Sequence, residues 1–316
     1  MRDLMSGTLE SEMTRKSNLL DTVMGLWGMS RPLVMISNIM TWLLGVAIAS
    51  GRGFSLEADR VTLSFITTIM VSASIHYMNE YADHETDCLT VRTLYSGGSG
   101  VLPSGLVARG LALKAAWASL FVGVLVQFSA VLYGVHSWSA SMVLLIGAVG
   151  GWMYSLPPLR LGWRGWGEIV NALLGCNLLP FYGFVTASGS FDLKILLACL
   201  PVTLIAFTNL LAVTWPDRSS DKIVGKMTLA TRWTPKRLRM TYKIAVIASF
   251  TSLILLKGWI LPKEIILSSL PALPLLIWGA KTYTRNEIST ATVYGMIVMI
   301  AAQTITWFSL GLGYSI

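Results

Sequence analysis

Apolar segments of membrane-spanning length recur along the chain, separated by short polar connections. A transmembrane helix needs about 20 mostly apolar residues. Segments of roughly that length cover residues 32–51, 61–78, 111–133, 138–155, 167–186, 193–215, 240–256, 264–282 and 289–313. Hydrophobic residues make up 54% of the sequence and charged residues only 13%. The pattern predicts an all-α membrane protein with about nine transmembrane helices in one bundle.

The first 30 residues differ from the rest because they are mixed in charge and contain no long apolar core. They are predicted to form a cytoplasmic tail with a surface helix around residues 19–27, and not a cleaved signal peptide. Residues 31–316 are predicted to form a single transmembrane domain.

The 24 lysines and arginines exceed the 16 acidic residues and give a net charge of +8. Such an excess can indicate nucleic-acid binding, but the basic residues are divided unevenly between the two sides of the predicted bundle. On the side opposite the N-terminus the sequence places only Arg52, Arg60, Lys194, Lys257 and Lys263. Basic residues concentrate in cytoplasmic loops. We therefore expect a cytoplasmic N-terminus, a C-terminus on the opposite side, a lipid bilayer as partner and no nucleic acid.

An oxygen-rich stripe closes the second apolar segment. Asn79, Asp83 and Asp87 follow one another at intervals of four, so a helix would place them on one face along successive turns. Glu80 and Glu85 would point elsewhere. Carboxylates at the end of a membrane-length segment are costly unless a cation offsets them. The stripe is therefore a candidate binding site.

A second acidic pair follows the sixth apolar segment with the same spacing. Asp217 and Asp221 are four residues apart, and Pro216 is expected to break the helix just before them. Both motifs lie on the predicted cytoplasmic side. The cations that accompany them are Arg92, Arg218, Lys222 and Lys226.

The residue types in these motifs predict a hard cation and a phosphate ligand. Carboxylate and amide oxygens suit Mg²⁺, which usually binds through a few carboxylates plus phosphate oxygens. The sequence has no cysteine and histidine set that would select zinc or iron. Acidic residues beside basic ones therefore predict a diphosphate held by bridging Mg²⁺, above an apolar cavity for a lipid tail. The plainer alternative, two solvated helix ends with surface salt bridges, is disfavoured by the shared spacing and side.

The two motifs, Asn79-x-x-x-Asp83-x-x-x-Asp87 and Asp217-x-x-x-Asp221, resemble the aspartate-rich motifs of the UbiA superfamily of intramembrane prenyltransferases. The similarity runs from about residue 31 to about residue 231. Residues 96–102, 154–160 and 221–229 resemble the branch that prenylates dihydroxynaphthoate to make menaquinone precursors. The resemblance implies nine transmembrane helices around a central cavity with cytoplasmic cap loops. It also implies Mg²⁺-dependent transfer of an isoprenyl group from a prenyl diphosphate to a small, usually aromatic acceptor.

The resemblance assigns the acidic residues to metal binding and catalysis. Asn79, Asp83 and Asp87 would hold one Mg²⁺–diphosphate unit, and Asp217 and Asp221 would hold the other. Two Mg²⁺ ions would then bridge the diphosphate.

The resemblance also implies substrate contacts. Arg31 and Asn38 match a family pair that contacts the diphosphate and its surroundings, although Asn38 fits an interhelical hydrogen bond equally well. Arg92 and Lys222 are expected partners of the diphosphate by their positions. Tyr154 matches a residue near the allylic carbocation, whose charge an aromatic face can stabilise.

The second motif departs from the family pattern. Val213 stands four residues before Asp217, where an asparagine is usual, and Asn209 lies one turn further back. One alternative is therefore an enzyme of the same superfamily with a non-aromatic acceptor, in ether-lipid synthesis or terpene cyclisation. A more distant alternative is a transporter of Mg²⁺ or phospholipid, which would need acidic residues within the spans on both sides. On the far side the sequence offers only loop residues, namely Glu57, Asp59, Asp192 and Glu264.

Overall fold

The computed structural model describes residues 18–288 and 290–313, so the predicted tail lies largely outside the described residues. Within these ranges the chain is helical, and the only extended pairings are isolated bridges. In chain order the helices are α1 (Leu19–Met29), α2 (Pro32–Gly51), α3 (Ala58–Asp87), α4 (Arg109–Leu132), α5 (Trp138–Ser155), α6 (Gly167–Ser188), α7 (Lys194–Ala198), α8 (Leu200–Val213), α9 (Arg218–Ile223), α10 (Leu229–Arg232), α11 (Pro235–Leu255), α12 (Lys263–Ser269), α13 (Ala272–Thr282) and α14 (Thr290–Gly311). Helix α6 contains a π-helical turn at Leu174–Leu178.

Six of the described helices are long and apolar enough to cross a membrane, namely α2, α3, α4, α6, α11 and α14. Helices α12 and α13 pass the same test together but are bent by 46° at a short break. They add a seventh crossing if the pair is one span. The structure therefore confirms the all-helical prediction. It gives six or seven candidate crossings within the described residues, where the sequence predicted about nine.

The difference arises where prolines divide the predicted segments. Segment 193–215 separates at Cys199 into α7 and α8, and Pro201 lies in the first turn of α8, where a missing N–H is tolerated. Segment 264–282 bends at Pro271, between α12 and α13. Segment 138–155 is helical throughout as α5, which has 18 residues and is not among the six candidate spans.

Helices α2 and α6 approach each other closely at two glycines. A Cβ at Gly45 would collide with the Pro180 carbonyl, and a Cβ at Gly183 would collide with the Trp42 carbonyl. Small residues allow membrane helices to reach backbone contact. The contact fixes α2, which begins directly after the candidate site residue Arg31.

Helix α1 is the surface helix expected from the sequence. It buries Gly25 and Met29 and receives a hydrogen bond of 3.1 Å from the Tyr77 hydroxyl at the Leu26 carbonyl. Its exposed apolar face consists of Leu19, Leu20, Val23, Met24 and Trp27. Because Tyr77 belongs to α3, this contact holds α1 against the helix that carries the first aspartate motif.

The segments that carry the candidate site meet at one end of α3. This helix has 30 residues, which corresponds to about 45 Å and exceeds the roughly 30 Å of a bilayer core. Three connections contact its last turns: the loop after α3 through Ser99, the loop after α5 through Trp163, and the segment after α9 through Lys226. Residues far apart in sequence are thereby gathered around Asp83.

Candidate active site

The first aspartate motif lies on continuous helix. Helix α3 runs through the apolar segment to Asp87, so Asn79, Asp83 and Asp87 occupy successive turns. The Asn79 amide donates to Asp83 Oδ2 at 2.9 Å and to Ser155 Oγ at 3.2 Å. Asp83 itself is buried. The asparagine therefore orients the central aspartate and connects it to the end of α5.

The second motif lies where a helix has stopped. Helix α8 ends at Val213, and Pro216 falls in the turn that follows, which agrees with the expected helix break. Asp217 precedes α9, and the Asp221 amide donates to the Asp217 carbonyl at 2.8 Å. This single turn of helix sets the spacing of the two carboxylates.

The two motifs meet at Lys226. Its ammonium lies 3.0 Å from Asp83 Oδ2 and 3.7 Å from Asp221 Oδ1. The Lys226 backbone N–H also donates to the Asp221 carbonyl at 2.8 Å, which closes a tight loop after α9. The sequence named both Lys222 and Lys226 among the cations of this segment and gave Lys222 as an expected diphosphate partner; Lys222 is exposed, and Lys226 lies between the motifs.

The charges of this cluster shift one another. Burial raises the pKa of Asp217 to about 6, with a further rise from the neighbouring Asp221. Burial likewise raises the pKa of Asp221 to about 6, against the opposing effect of Lys226. Burial alone would lower the pKa of Lys226, but Asp83 and Asp221 raise it above its usual range. The site therefore holds a permanent cation between carboxylates that have lost much of their hydration.

The glycine-rich loop after α3 packs against both motifs. The Ser96 side chain and the Gly97 amide interact with the Asp217 carboxylate. Gly98 has a φ of 65° and lies so close to Asp87 that a Cβ there would overlap the carboxylate. Glycine is required at such a position because it alone combines positive φ with this close approach. We call residues 96–100 the glycine loop.

A second loop covers Asp83 from the side of α5. The Trp163 indole N–H donates to Asp83 Oδ1 at 3.1 Å, and the Arg160 guanidinium stacks on the same ring at 3.9 Å. The Lys226 ammonium lies 5.9 Å from that ring. Tyr154 packs against Gly162, within electrostatic range of Lys226. No sequence signal distinguished Trp163 from a membrane-interface anchor.

The other residues predicted to contact substrate are Arg31, Arg92 and Asn38, and each has different neighbours. Arg31 directs its Nε to Glu80 Oε1 at 2.6 Å. Arg92 is exposed and packs along Gly100 of the glycine loop. Asn38 donates its amide to His76 Nε2 at 3.3 Å, while His76 Nδ1 contacts the Ser30 carbonyl at 2.7 Å.

The pairing of His76 follows from its partners. The Ser30 carbonyl can only accept, so His76 Nδ1 carries the proton and Nε2 accepts from Asn38. Asn38 therefore makes the interhelical hydrogen bond that the sequence left as an alternative to substrate contact.

Glu80 is the main residue of the site that sequence reasoning did not select. It lies off the oxygen-rich stripe, yet it is 1% exposed. Its carboxylate accepts from Arg31, from the Ser99 amide at 2.9 Å and from the Ser99 hydroxyl. A buried carboxylate with three donors is firmly anchored. The only available signal was its position inside a motif otherwise assigned to metal binding.

The donor chemistry of the two motifs fits a divalent cation. Asp217 Oδ1 and Asp221 Oδ1 are buried and have no hydrogen-bond donor among the described residues. Ionised carboxylates can only accept; Asp221 Oδ1 faces the Lys226 ammonium at 3.7 Å, whereas Asp217 Oδ1 needs a cation or a donor from outside the chain. Over the described ranges no three Asp, Glu, His or Cys side chains already converge on one point, because Lys226 lies between Asp83 and Asp221. Carboxylate oxygens are the type of ligand that Mg²⁺ prefers.

Comparison with known proteins adds a family and a fold. The model of the UbiA prenyltransferase family matches residues 38–309. The 1,4-dihydroxy-2-naphthoate octaprenyltransferase of Bacillus subtilis is 22% identical to this chain over 296 residues, which cover 90% of this chain and 89% of that protein.

Two solved structures have the same fold. A UbiA homologue from Archaeoglobus fulgidus bound to DMAPP and Mg²⁺ has a TM-score of 0.60 and 19% identity, covering 90% of this chain and 99% of that one. A structure of digeranylgeranylglyceryl phosphate synthase has a TM-score of 0.65 and 15% identity, covering 93% and 99%. At these identities the likeness concerns the fold alone.

Proposed function

Because the chain belongs to the UbiA prenyltransferase family, we propose that it transfers an isoprenyl group from a prenyl diphosphate to an aromatic quinone precursor, releasing diphosphate. The protein is a multi-pass membrane prenyltransferase, and the finer proposal concerns its substrates and residues. One observation carries it: Asp83 and Asp221, from motifs far apart in sequence, converge on Lys226, whose side chain is 13% exposed. Such a convergence of acidic and basic groups suits a metal-bound diphosphate.

We assign the metal-binding role to Asn79, Asp83, Asp87, Asp217 and Asp221. When bound there, Mg²⁺ neutralises charge that develops on the departing diphosphate. We propose two Mg²⁺ ions, one for each of the two aspartate motifs. The Archaeoglobus relative, whose structure contains DMAPP and Mg²⁺, supports this assignment by its fold.

The chain's own cations complete the diphosphate site. Lys226 holds Asp83 and Asp221 in place and offers its remaining protons to phosphate oxygens. Arg31 donates its Nε–H to Glu80, and its two terminal nitrogens make no hydrogen bond among the described residues. Arg92, which packs along the glycine loop, is a further candidate, while the exposed Lys222 is a weaker one.

We assign stabilisation of the allylic cation and the apolar surroundings of the reaction to aromatic residues and helix faces. Tyr154 packs beside Gly162 near Lys226, a position from which its ring can stabilise an allylic cation. Closure of the two loops over the site would exclude water, which otherwise captures the cation. Asn38, hydrogen-bonded to His76, is assigned a supporting role in holding α2 to α3.

We also propose that the chain crosses the membrane nine times around a central cavity. Helix α5 and the α7–α8 pair would add two crossings to the seven candidates. The distribution of lysine and arginine supports a cytoplasmic N-terminus and cytoplasmic cap loops, with the C-terminus on the opposite side.

The aromatic acceptor is supported by the naphthoate prenyltransferase relative, which aligns along nearly the whole of both chains. Although Val213 replaces the usual asparagine, a side-chain amide is still present in this region. The side-chain oxygen of Asn209, Oδ1, is buried and has no hydrogen-bond donor among the described residues. Asn209, one turn before Val213, is therefore proposed to take the place of the usual asparagine.

The decisive experiment is incubation of the purified protein with Mg²⁺, prenyl diphosphates of several lengths and a panel of acceptors, read by mass spectrometry. Acceptors should include dihydroxynaphthoate, hydroxybenzoate and a glycerol-phosphate lipid. Formation of a prenylated aromatic supports the proposal. Products only from the lipid alcohol, or cyclised products without acceptor, would establish a non-aromatic reaction instead. Transport of Mg²⁺ or phospholipid in vesicles without any diphosphate release would contradict an enzymatic role.

A further inference from the structure

The carboxylate of Glu80 contacts three parts of the molecule at once. It projects from α3 one residue after Asn79 and seven residues, about two helical turns, before Asp87, so it lies beside the end of the aspartate stripe. Its Oε1 accepts from Arg31 Nε at 2.6 Å and from the Ser99 backbone amide at 2.9 Å, and its Oε2 accepts from the Ser99 hydroxyl. These contacts join α3, the α1–α2 junction and the glycine loop.

The glycine loop in turn contacts both aspartate motifs. Ser96 and Gly97 interact with Asp217, and Gly98 packs directly on Asp87. The position of this loop therefore sets how far apart Asp87 and Asp217 lie. Ser99 is the residue that ties the loop to α3, and its hydroxyl also accepts from the Val101 amide at 3.2 Å, which fixes the following turn.

Arg31 is held in an unusual backbone conformation. It has a φ of 51° at the junction between α1 and α2, a region that non-glycine residues rarely adopt. Glu80 accepts from the Nε of its guanidinium, and the two terminal nitrogens make no hydrogen bond among the described residues. The carboxylate thus orients the arginine as well as the loop.

We propose that Glu80 is a positioning residue for the diphosphate site: it clamps the glycine loop to α3 and aims the Arg31 guanidinium, and it binds neither metal nor substrate itself. The inference rests on the proposed function, because it assigns Glu80 to the substrate-binding step of that reaction. The proposal separates Glu80 from Asp83, whose carboxylate is bound by Lys226 between the two motifs.

Glu80→Gln tests the clamp, with Glu85→Gln as the matched control. Glu85 lies on the same helix, is 74% exposed and only approaches Arg109 at 3.9 Å. In lipid nanodiscs, Glu80→Gln should raise the KM for prenyl diphosphate by about tenfold or more, because charge-assisted hydrogen bonds are lost. The KM for the acceptor should stay within about twofold of the wild-type value. A general loss of folded protein would not shift one KM and spare the other.

A second readout needs no turnover. Trypsin should cleave after Arg92 faster in Glu80→Gln than in the wild type, because the glycine loop is released, while cleavage after the exposed Arg285 serves as an internal reference. Equal cleavage at Arg92 in Glu80→Gln and Glu85→Gln, or an unchanged KM for prenyl diphosphate, would overturn the proposal.

Ser99→Ala keeps the test usable if Glu80→Gln does not fold. This smaller change removes the hydroxyl bond but leaves the backbone bond to Glu80, so the same two effects should appear with smaller size. No effect of Ser99→Ala on either readout would count against the clamp. If the wild type turned over no substrate pair, the proposed function would fail, yet the trypsin comparison would still decide the clamp.

Discussion

The two aspartate motifs reach one site on different kinds of backbone. The first lies on α3, a continuous helix of 30 residues, and Asn79 donates to Asp83 within it. The second lies after α8 has ended, with Asp217 in a turn and Asp221 on α9, a helix of six residues. A long helix fixes side-chain spacing through its own hydrogen bonds, whereas a single turn has little stability of its own. The second motif therefore needs support from elsewhere in the fold.

That support comes from other parts of the chain. The Arg218 guanidinium binds both Glu287 oxygens at 2.8 Å and stacks over Trp215 at 3.9 Å. Ser220 Oγ donates to the Leu89 carbonyl at 3.2 Å, just beyond the end of α3. The first motif is thus a feature of one helix, and the second is a feature of the assembled cap. Changes that disturb loop packing should affect the second motif more.

The largest expected effect tests whether both motifs act in one step. Asp83→Ala and Asp217→Ala should each lower kcat/KM by about a thousandfold, because each removes charge stabilisation of the departing diphosphate. The double variant should be little worse than either single one, since residues that act as a unit are not additive. Steady-state kinetics on protein of verified thermal stability decides this. Near-normal activity in either single variant would refute a shared site.

The next effect concerns the cation that joins the motifs. Lys226→Met should lower the free energy of unfolding by about 3 kcal/mol in the absence of Mg²⁺, because it leaves two buried carboxylates without their partner. Mg²⁺ should recover a large part of this loss, since it can take the same oxygens. Thermal denaturation in detergent with and without Mg²⁺ measures both.

Lys222→Met is the matched control for Lys226→Met. Lys222 lies four residues earlier in the same segment but is exposed, so its removal should leave the unfolding midpoint and its Mg²⁺ dependence unchanged. If the two variants behaved alike, Lys226 would not be the link between the motifs.

The sequence predicted the first motif well because its geometry is local. Spacing of four on an apolar helix determines that Asn79, Asp83 and Asp87 share a face, and α3 has that geometry. The break before Asp217 was equally local, because Pro216 cannot continue the helix. The all-helical membrane fold followed from the apolar segments. The number of crossings did not, because apolar length alone does not show whether a segment that contains Pro201 or Pro271 forms one straight helix.

The residues that connect the motifs could not be found from local pattern. Lys226 and Lys222 are both lysines near Asp221, and only the turn after α9 decides that Lys226 points inward. Trp163 resembles any interfacial tryptophan until its indole N–H is placed on Asp83. Glu80 resembles a solvated helix residue until the glycine loop folds onto it. In each case the partner lies many residues away, and sequence spacing carries no information about that distance.

A smaller effect is expected at the cap over the first motif. Trp163→Phe removes the hydrogen bond to Asp83 Oδ1 but keeps an aromatic ring for Arg160 and Lys226. Losing one hydrogen bond to a charged group should lower kcat/KM by about tenfold. Trp166→Phe, at an exposed position in the same loop, should have no measurable effect. A loss of equal size in both variants would indicate that the loop as a whole, and not the bond to Asp83, is responsible.

The smallest expected effect addresses the support of the second motif directly. Ser220→Ala removes the bond from α9 to the Leu89 carbonyl, and Ser219→Ala alters the exposed neighbouring serine on the same helix. Because one neutral hydrogen bond contributes about 1 kcal/mol, Ser220→Ala should raise the Mg²⁺ concentration for half-maximal rate by about threefold to fivefold. Ser219→Ala should not change it. The effect should be on Mg²⁺ dependence and not on the KM of the acceptor, because α9 carries Asp221, a proposed metal ligand, and no residue proposed for the apolar site. Equal Mg²⁺ dependence in both variants would mean that α9 keeps its position without the contact to the first motif, and that the two motifs are less dependent on each other than their packing indicates.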